Sequence, residues 1–283
     1  VKTLQARLLF DLVKELQLPD GVRPHFKSAF SAAGRLVVAN NSYDERDFRG
    51  ELAGGRLAEW DGKRWTILER RPFVEVAGKS WAGDEYGNPI YAAGWDRASA
   101  ILKVFVKGTW RTYRLPKGGQ TFDHAWNTEW MRIREAQTER FLMDLHGLFY
   151  ELPSLSYDGQ VWGVLPIARH LRLVPDFCSW RGLLVMGADN ASHEAGGNLQ
   201  CAEPQSGLWF GRTDDLWKLG APKVWGGPWW DDRVEAGVPS DPYLMTGFDK
   251  KCLHLAHTAK RPVRFVVEVD FRGDGDWHRY ETI

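Results

Sequence analysis

Three carboxylates, Glu129, Asp176 and Asp241, occupy matching places in a recurring pattern. Each stands just ahead of an aromatic that begins a short apolar stretch, as in Thr128-Glu129-Trp130, Pro175-Asp176-Phe177 and Ser240-Asp241-Pro242-Tyr243. Two further openings have the same form without an acid, Pro24-His25-Phe26 and Asn88-Pro89-Ile90-Tyr91. Acids brought together in one cleft have the chemistry to break a glycosidic bond. One carboxyl protonates the leaving oxygen, and another attacks the anomeric carbon or activates water. Apolar or like-charged surroundings hold one of them protonated while its neighbour stays ionised. Glu129, with the longer side chain and Trp130 beside it, suits the acid. Asp176 and Asp241 suit the base or nucleophile and the partner that sets its pKa.

Elements that bring these residues together must repeat as the openings do. Each opening is followed by a polar turn and a second apolar strand, the signature of a radial β-array. The expected fold is all-β, a five-bladed β-propeller with a short N-terminal helix. Apolar residues at Leu4, Leu8, Leu9, Leu12, Val13 and Leu16 give a helical stripe over 3–18, ended by Pro19-Asp20-Gly21. Residues 1–20 are then a helix packing on a propeller of residues 21–283. Its blades fall at about 22–78, 84–118, 124–171, 172–233 and 239–283.

The first strand of a propeller blade lies nearest the axis, and the second returns beside it. The start of the first and the end of the second therefore share one mouth of the channel. That places Arg23, His25, Lys27, Asn40, Asn41, Asn88, Trp130, Arg132, His146, Asp189 and His257 as candidate substrate-binding residues around the three acids. Asn40 and Asn41 suit hydroxyl recognition, and His25 or Arg132 could hold hydroxyls or tune the carboxylates.

Composition narrows the partners. The formal net charge is zero, from 37 basic and 37 acidic residues, so no basic excess points to nucleic acid or an anionic membrane. No apolar run approaches the roughly 20 residues of a membrane span. Cys178, Cys201 and Cys252 have no ligand spacing and read as buried free thiols. The spacing of His254 and His257 places their side chains on opposite faces of a strand, so no metal is assigned. Gly197, Gly226 and Gly227 lack the Lys-Ser or Lys-Thr of a phosphate loop, and no Gly-x-Ser-x-Gly elbow occurs. No cofactor is implied. The 15 tryptophans are the compositional outlier. Trp60, Trp65, Trp110 and Trp277 sit in outer-strand patterns and read as structural. Trp81, Trp95, Trp126, Trp130, Trp180, Trp229 and Trp230 lie near loops or inner strands, where flat rings could meet sugars. Compartment, whether cytoplasmic or periplasmic or secreted, and oligomeric state are not fixed by these features.

Several segments carry a resemblance: Gly21-Val-Arg-Pro-His-Phe-Lys-Ser-Ala-Phe30, Gly55-Arg-Leu-Ala-Glu-Trp-Asp-Gly62, Thr128-Glu-Trp-Met-Arg-Ile-Arg-Glu135, Gln205-Ser-Gly-Leu-Trp-Phe-Gly211 and Pro239-Ser-Asp-Pro-Tyr-Leu-Met-Thr-Gly-Phe248. With them the chain resembles a poorly characterised family of bacterial β-propeller proteins from polysaccharide degraders. That resemblance implies glycoside hydrolysis, including β-galactosidase activity. The chain is also similar to five-bladed glycosidases of the arabinanase and invertase type. Those place three acids from different blades in the funnel, parts that Glu129, Asp176 and Asp241 match. It departs from them at blade one, which presents His25 in place of an acid. The resulting expectation is an exo-acting glycoside hydrolase with a β-galactoside substrate. Three alternatives stand beside it: a non-catalytic glycan-binding propeller, a polysaccharide lyase using His25 or His146 as base with Arg132 or Arg134 neutralising a uronate, and an interaction module.

Overall fold

The computed structural model describes residues 5–42, 44–48, 51–79, 87–118, 131–137, 140–156, 158–170, 172–190 and 207–283, without the side chains of residues 45, 48, 172, 173 and 188–190. Among the described residues the architecture is all-β, with short helices only. A single α-helical turn, Leu12–Leu16, is capped by Asp11, whose carboxylate accepts from Lys14 N–H at 3.2 Å. Sheet 1 then runs through β1 (Pro24–Ala32), β2 (Arg35–Ser42), β3 (Arg56–Trp60) and β4 (Trp65–Glu69). Sheet 2 follows with β5 (Phe73–Gly78), β6 (Ile90–Trp95), β7 (Ala100–Val106) and β8 (Thr109–Leu115), trailed by the short β9 (Lys117–Gly118). Sheet 3 comprises β10 (Arg132–Gln137), β11 (Arg140–Leu145), β12 (Leu148–Leu152) and β13 (Leu165–Arg169). Sheet 4 is built on β14 (Arg172–Leu173), β15 (Phe177–Trp180), β16 (Leu183–Asn190) and β17 (Gly207–Gly211), with β14 and β15 pairing different stretches of β16. Two ribbons complete the chain, β18 (Val224–Trp225) on β9 and the hairpin of β19 (Val266–Val269) with β20 (His278–Thr282).

Every named pairing is antiparallel and sequential strands are neighbours in sheets 1 to 3, so each is a meander, with tight turns at β1–β2, β6–β7 and β11–β12 and longer connections at β2–β3, β5–β6 and β12–β13. In the β11–β12 turn His146 and Gly147 both have positive φ, 49° and 80°, the backbone a two-residue hairpin requires.

Strand parity explains how the sheets stack. In β6, Ile90 and Ala92 join the core against sheet 1, while Tyr91, Ala93 and Trp95 join the core against sheet 3. In β11, Phe141, Met143 and Leu145 face sheet 2 and Leu142 faces sheet 4. Both faces of these strands are apolar, so both must be covered. The result is a succession of cores between sheets 1 and 2, 2 and 3, and 3 and 4. The first strands meet as well, β1 packing on β5, β5 on β10 and β10 on β15. Polar ties cross the same gaps. Glu59 accepts from Arg35 at 2.8 Å and from the Trp110 indole N–H at 2.9 Å, linking sheets 1 and 2. Tyr91 O–H donates to the Pro153 carbonyl at 2.6 Å, linking sheet 2 to the segment after β12.

The far face of sheet 1 is covered by the N-terminal segment. Phe10 packs on Trp65 at 5.2 Å, and Glu15 pairs with Arg56 at 3.3 Å and Arg70 at 3.0 Å. Among the described residues nothing covers the far face of sheet 4, where Trp180, Leu208 and Phe210 are exposed.

Several sequence expectations are corrected. The helix over 3–18 shortens to Leu12–Leu16, because Leu12 and Leu16 find cover while Leu8, Leu9 and Val13 stay exposed, and an isolated short helix is costly to nucleate. The first strand of sheet 2 is Phe73–Gly78, a stretch that falls in the tail of the expected blade one. Asn88 therefore precedes the second strand of its sheet, not the first. The last strand of sheet 3 is Leu165–Arg169, whose edge position tolerates Pro166, which lacks an N–H. Within the expected fourth blade, Thr213–Lys218 form a 3-10 helix after β17. Where a fifth blade was expected, residues 239–283 form no four-stranded sheet, only the two-stranded β19–β20 hairpin. Residues 253–256 form no strand, and Tyr243 instead bridges Arg114 at the rim of sheet 2. Cys178 and Cys252 are exposed rather than buried, and Cys201 lies outside the described residues.

Leu102 is fully buried between sheets 2 and 3, so Leu102→Ala should cost about 2–5 kcal/mol. Leu208→Ser on the open face should cost about 0.5 kcal/mol or less. Urea unfolding of the two variants tests the stacking, and comparable losses would contradict it.

Candidate functional site

The first strands of the stacked sheets carry a continuous polar chain. Ser28 on β1 donates its hydroxyl to Glu75 Oε1 on β5 at 3.1 Å. Glu75 Oε2 accepts from Arg134 of β10 at 3.0 Å. The other end of the same guanidinium donates to Asp176 Oδ2 at 2.9 Å, just ahead of β15. Asp176 Oδ1 accepts from Phe177 N–H at 2.8 Å, which fixes the carboxylate at the strand start. Ser28 is anchored by Val76 N–H, which donates to its oxygen at 3.1 Å. One step along, Lys79 pairs with Glu135 at 3.0 Å and lies 5.9 Å from the centroid of the Phe141 ring.

Depth differs along this chain. Glu75 is 4 % exposed, whereas the Asp176 side chain is 55 % exposed. Burial raises the Glu75 carboxyl above its ordinary value, and Arg134 and Arg132 pull against that rise. Burial opposes the charge on Arg134, but Glu75 and Asp176 outweigh it and hold the guanidinium more firmly protonated. Arg134 thus neutralises a carboxylate that solvent cannot reach and presents a second one that solvent can. Asp176, with a cation at fixed distance, is placed to accept a proton or attack an electrophile.

Of the residues expected from sequence, Asp176, Arg132 and the β1 residues lie on these first strands. Arg132 opens β10, donates to the Met131 carbonyl at 2.6 Å and acts on Glu75 through its charge. His25 pairs with Asn41 across β1 and β2, Arg23 precedes β1, and Lys27 sits in the bulge between Phe26 and Ser28. Glu129 and Trp130 lie outside the described residues, as does the Asp189 side chain, whose backbone pairs with Leu173.

Other expected residues take different places. Asp241 bonds Arg114 of β8 at 3.0 Å, because Pro242 and Leu244 hydrogen-bond the Arg114 backbone instead of opening a fifth inner strand. Asn40 and Asn41 are buried, and Asn40 donates to the Gly54 carbonyl at 3.2 Å, tying down the loop after β2. Asp47 anchors the same loop through Ser42, Gly54 and Gly55. His146 is buried in its turn, 6.1 Å from Trp95, and burial drives its pKa well below the usual imidazole value. His257 is exposed on the C-terminal segment, 6.4 Å from Phe265.

Glu75 is not among the residues expected from sequence because β5 is not among the expected inner strands, and Ser28 of β1 gains its place only through Glu75. Pro72-Phe73-Val74-Glu75-Val76 carries the signal, a polar residue inside a β-branched run following a proline. Among the described residues no group of three or more His, Cys, Asp or Glu side chains is arranged to hold a metal.

No protein-family model matches the chain, and no curated protein matches it. Among solved structures, the chain has a distant likeness to a "putative glycoside hydrolase" from Parabacteroides distasonis, at 12 % identity and a TM-score of 0.25, over 65 % of this chain and 66 % of that one. A likeness of that size carries no argument about fold or activity.

Arg134→Met should lower stability by about 2 kcal/mol at pH 7, a value below that for a fully buried pair because the guanidinium is a third exposed. The loss should shrink at pH 4. Glu75 already has a raised folded pKa, so the stability tied to it is present at low pH and falls as pH rises through that value. Removing the cation raises it further. Denaturation at the two pH values decides, and an equal loss at both would refute Glu75 as the cause. Glu75→Gln in the same background should restore most of the difference.

Proposed function

We propose that this chain is a glycoside hydrolase of the propeller type, with its centre at Asp176 and Arg134. The observation that carries the reading is an exposed carboxylate and a buried one held by a single guanidinium where the first strands of successive sheets meet. Sequential meanders, stacked through both faces with their first strands in contact, support the propeller reading. The five-blade count, with the β19–β20 hairpin as part of the fifth, belongs to the same proposal.

In this reading Asp176 is the base or nucleophile. Its Arg134 partner aims it, because the planar guanidinium that donates to Asp176 is itself held by its bond to Glu75. Glu75 does not touch substrate; from its buried place it positions Arg134. Glu129, two residues before Met131 and three before β10, supplies the acid. Arg132 and His25 contact hydroxyls. The substrate is proposed to be a β-galactoside cut from a chain end. Asp241, bound to Arg114, has no part in the chemistry.

A panel of nitrophenyl glycosides, galactoside included, tests the reading. Wild type should release one sugar. Asp176→Asn should lower kcat/KM at least ~100-fold, as loss of a base or nucleophile does. Glu129→Gln should lower it comparably on substrates with poor leaving groups and less on nitrophenyl ones, which need little protonation. Full activity in Asp176→Asn would move the chemistry elsewhere. Failure of the folded protein to release any sugar would sink the hydrolase reading, and an unsaturated, ultraviolet-absorbing product from a uronate polymer would replace it with a lyase.

A further inference from the structure

Trp229 and Trp230 follow β18 and are 38 % and 41 % exposed, a costly display for two consecutive indoles. The segment that carries them is tied down. β18 pairs with β9, and Gly227 N–H donates to the Ala98 carbonyl at 3.1 Å. The Trp225 ring lies 5.1 Å from Trp230, and the Arg97 guanidinium lies 5.9 Å from the same ring. Asp232 accepts from Trp230 N–H at 2.7 Å. Asp231 between them has φ of +55°, a backbone a non-glycine residue keeps only when its surroundings impose it.

This segment sits at the end of the sheets where the proposed centre opens. Ala98 belongs to the turn after β6, and Trp95 at the end of β6 bonds back to Pro72 just before β5. β5 and β10 run the same way, since Glu75 meets Arg134 and Lys79, further on, meets Glu135. The β11–β12 turn, whose His146 carbonyl closes on Gly118 of β9, lies across from the start of β10. The anchors of the tryptophan segment therefore border the rim from which Arg132 and β10 begin.

We propose that Trp229 and Trp230 form a saccharide-stacking platform on this rim, a second carbohydrate site that takes a neutral pyranose ring. The ligand class rests on the carbohydrate reading above, but the platform does not require hydrolysis. Indole faces are electron-rich and attract the C–H face of a sugar ring. Asp231 and Asp232 supply acceptors, and Arg97 and Arg233 supply donors, for hydroxyls around the ring edge. Two acids beside two arginines leave no net charge, which fits a neutral sugar and not the anionic backbone of a nucleic acid.

The test uses the whole chain carrying Asp176→Asn, so that the probe is not consumed. β-1,4-Galactotetraose, cellotetraose and xylotetraose are titrated by calorimetry and by tryptophan fluorescence. At least one should bind saturably. Trp229→Ala with Trp230→Ala should weaken it at least ~10-fold, as loss of stacked aromatic contacts does, and replacement of both by Tyr should keep it. Absence of saccharide binding, or binding that survives the double alanine change, overturns the platform. Concentration-dependent self-association abolished by the same change, without saccharide binding, overturns it too and gives the patch to protein contact. Saccharide binding together with no turnover by wild type on the nitrophenyl panel would leave the platform standing and remove the hydrolase.

Discussion

A β-strand that is apolar on both faces has to be covered twice, and the rest of this structure follows from that requirement. β6, β7 and β11 alternate between two cores instead of between core and water. A meander built from such strands cannot be an end in itself. It presses against the meander before it and the one after it, and this brings the first strands of successive sheets side by side. The polar residues carried on those first strands then meet because the apolar ones have been stacked.

Within that seam, electrostatics sets the division of labour. A carboxylate taken out of water is unfavourable unless a cation and hydrogen bonds go with it. Glu75 has both, from Arg134 and Ser28. The other terminal nitrogen of the guanidinium donates one hydrogen bond to Asp176. The buried acid is therefore the fixed end of the array and the exposed acid the end open to solvent. Neighbouring sheets contribute one link each, so the geometry at Asp176 depends on the stacking of all four.

Much of the scaffold was legible in the sequence. The strands of sheet 1 and its turns at Ala33-Gly34 and Asp61-Gly62-Lys63 are marked by apolar runs and by turn residues with the required backbone. Asp176 was legible too, as a polar opener before Phe177. What was not legible shares one cause. The opening motif was a polar residue before an aromatic, and at β5 the opener is Pro72 before Phe73, with the informative acid two residues inside the strand. The same motif misled at Pro242-Tyr243, where the segment adds to the rim of β8 instead of starting a sheet. His146 and Asn40 read as rim residues from their distance to strand ends, but neighbouring turns cover both. Local pattern marks where a strand begins; it does not say which strand lies against it.

The arrangement also bears on how the chain is made. Each meander is local in sequence and closes the face left by the one before, while the N-terminal segment seals the first. A chain emerging residue by residue from its N-terminal end can therefore complete one layer at a time, with a single sticky face showing at any moment. The face of Cys178, Trp180, Leu208 and Phe210 is the one still showing when the fourth layer is finished. Synthesis in this order converts the aggregation hazard of a large β-protein into a short exposure that moves along the chain, in contrast to a fold whose first and last strands must find each other before any core exists.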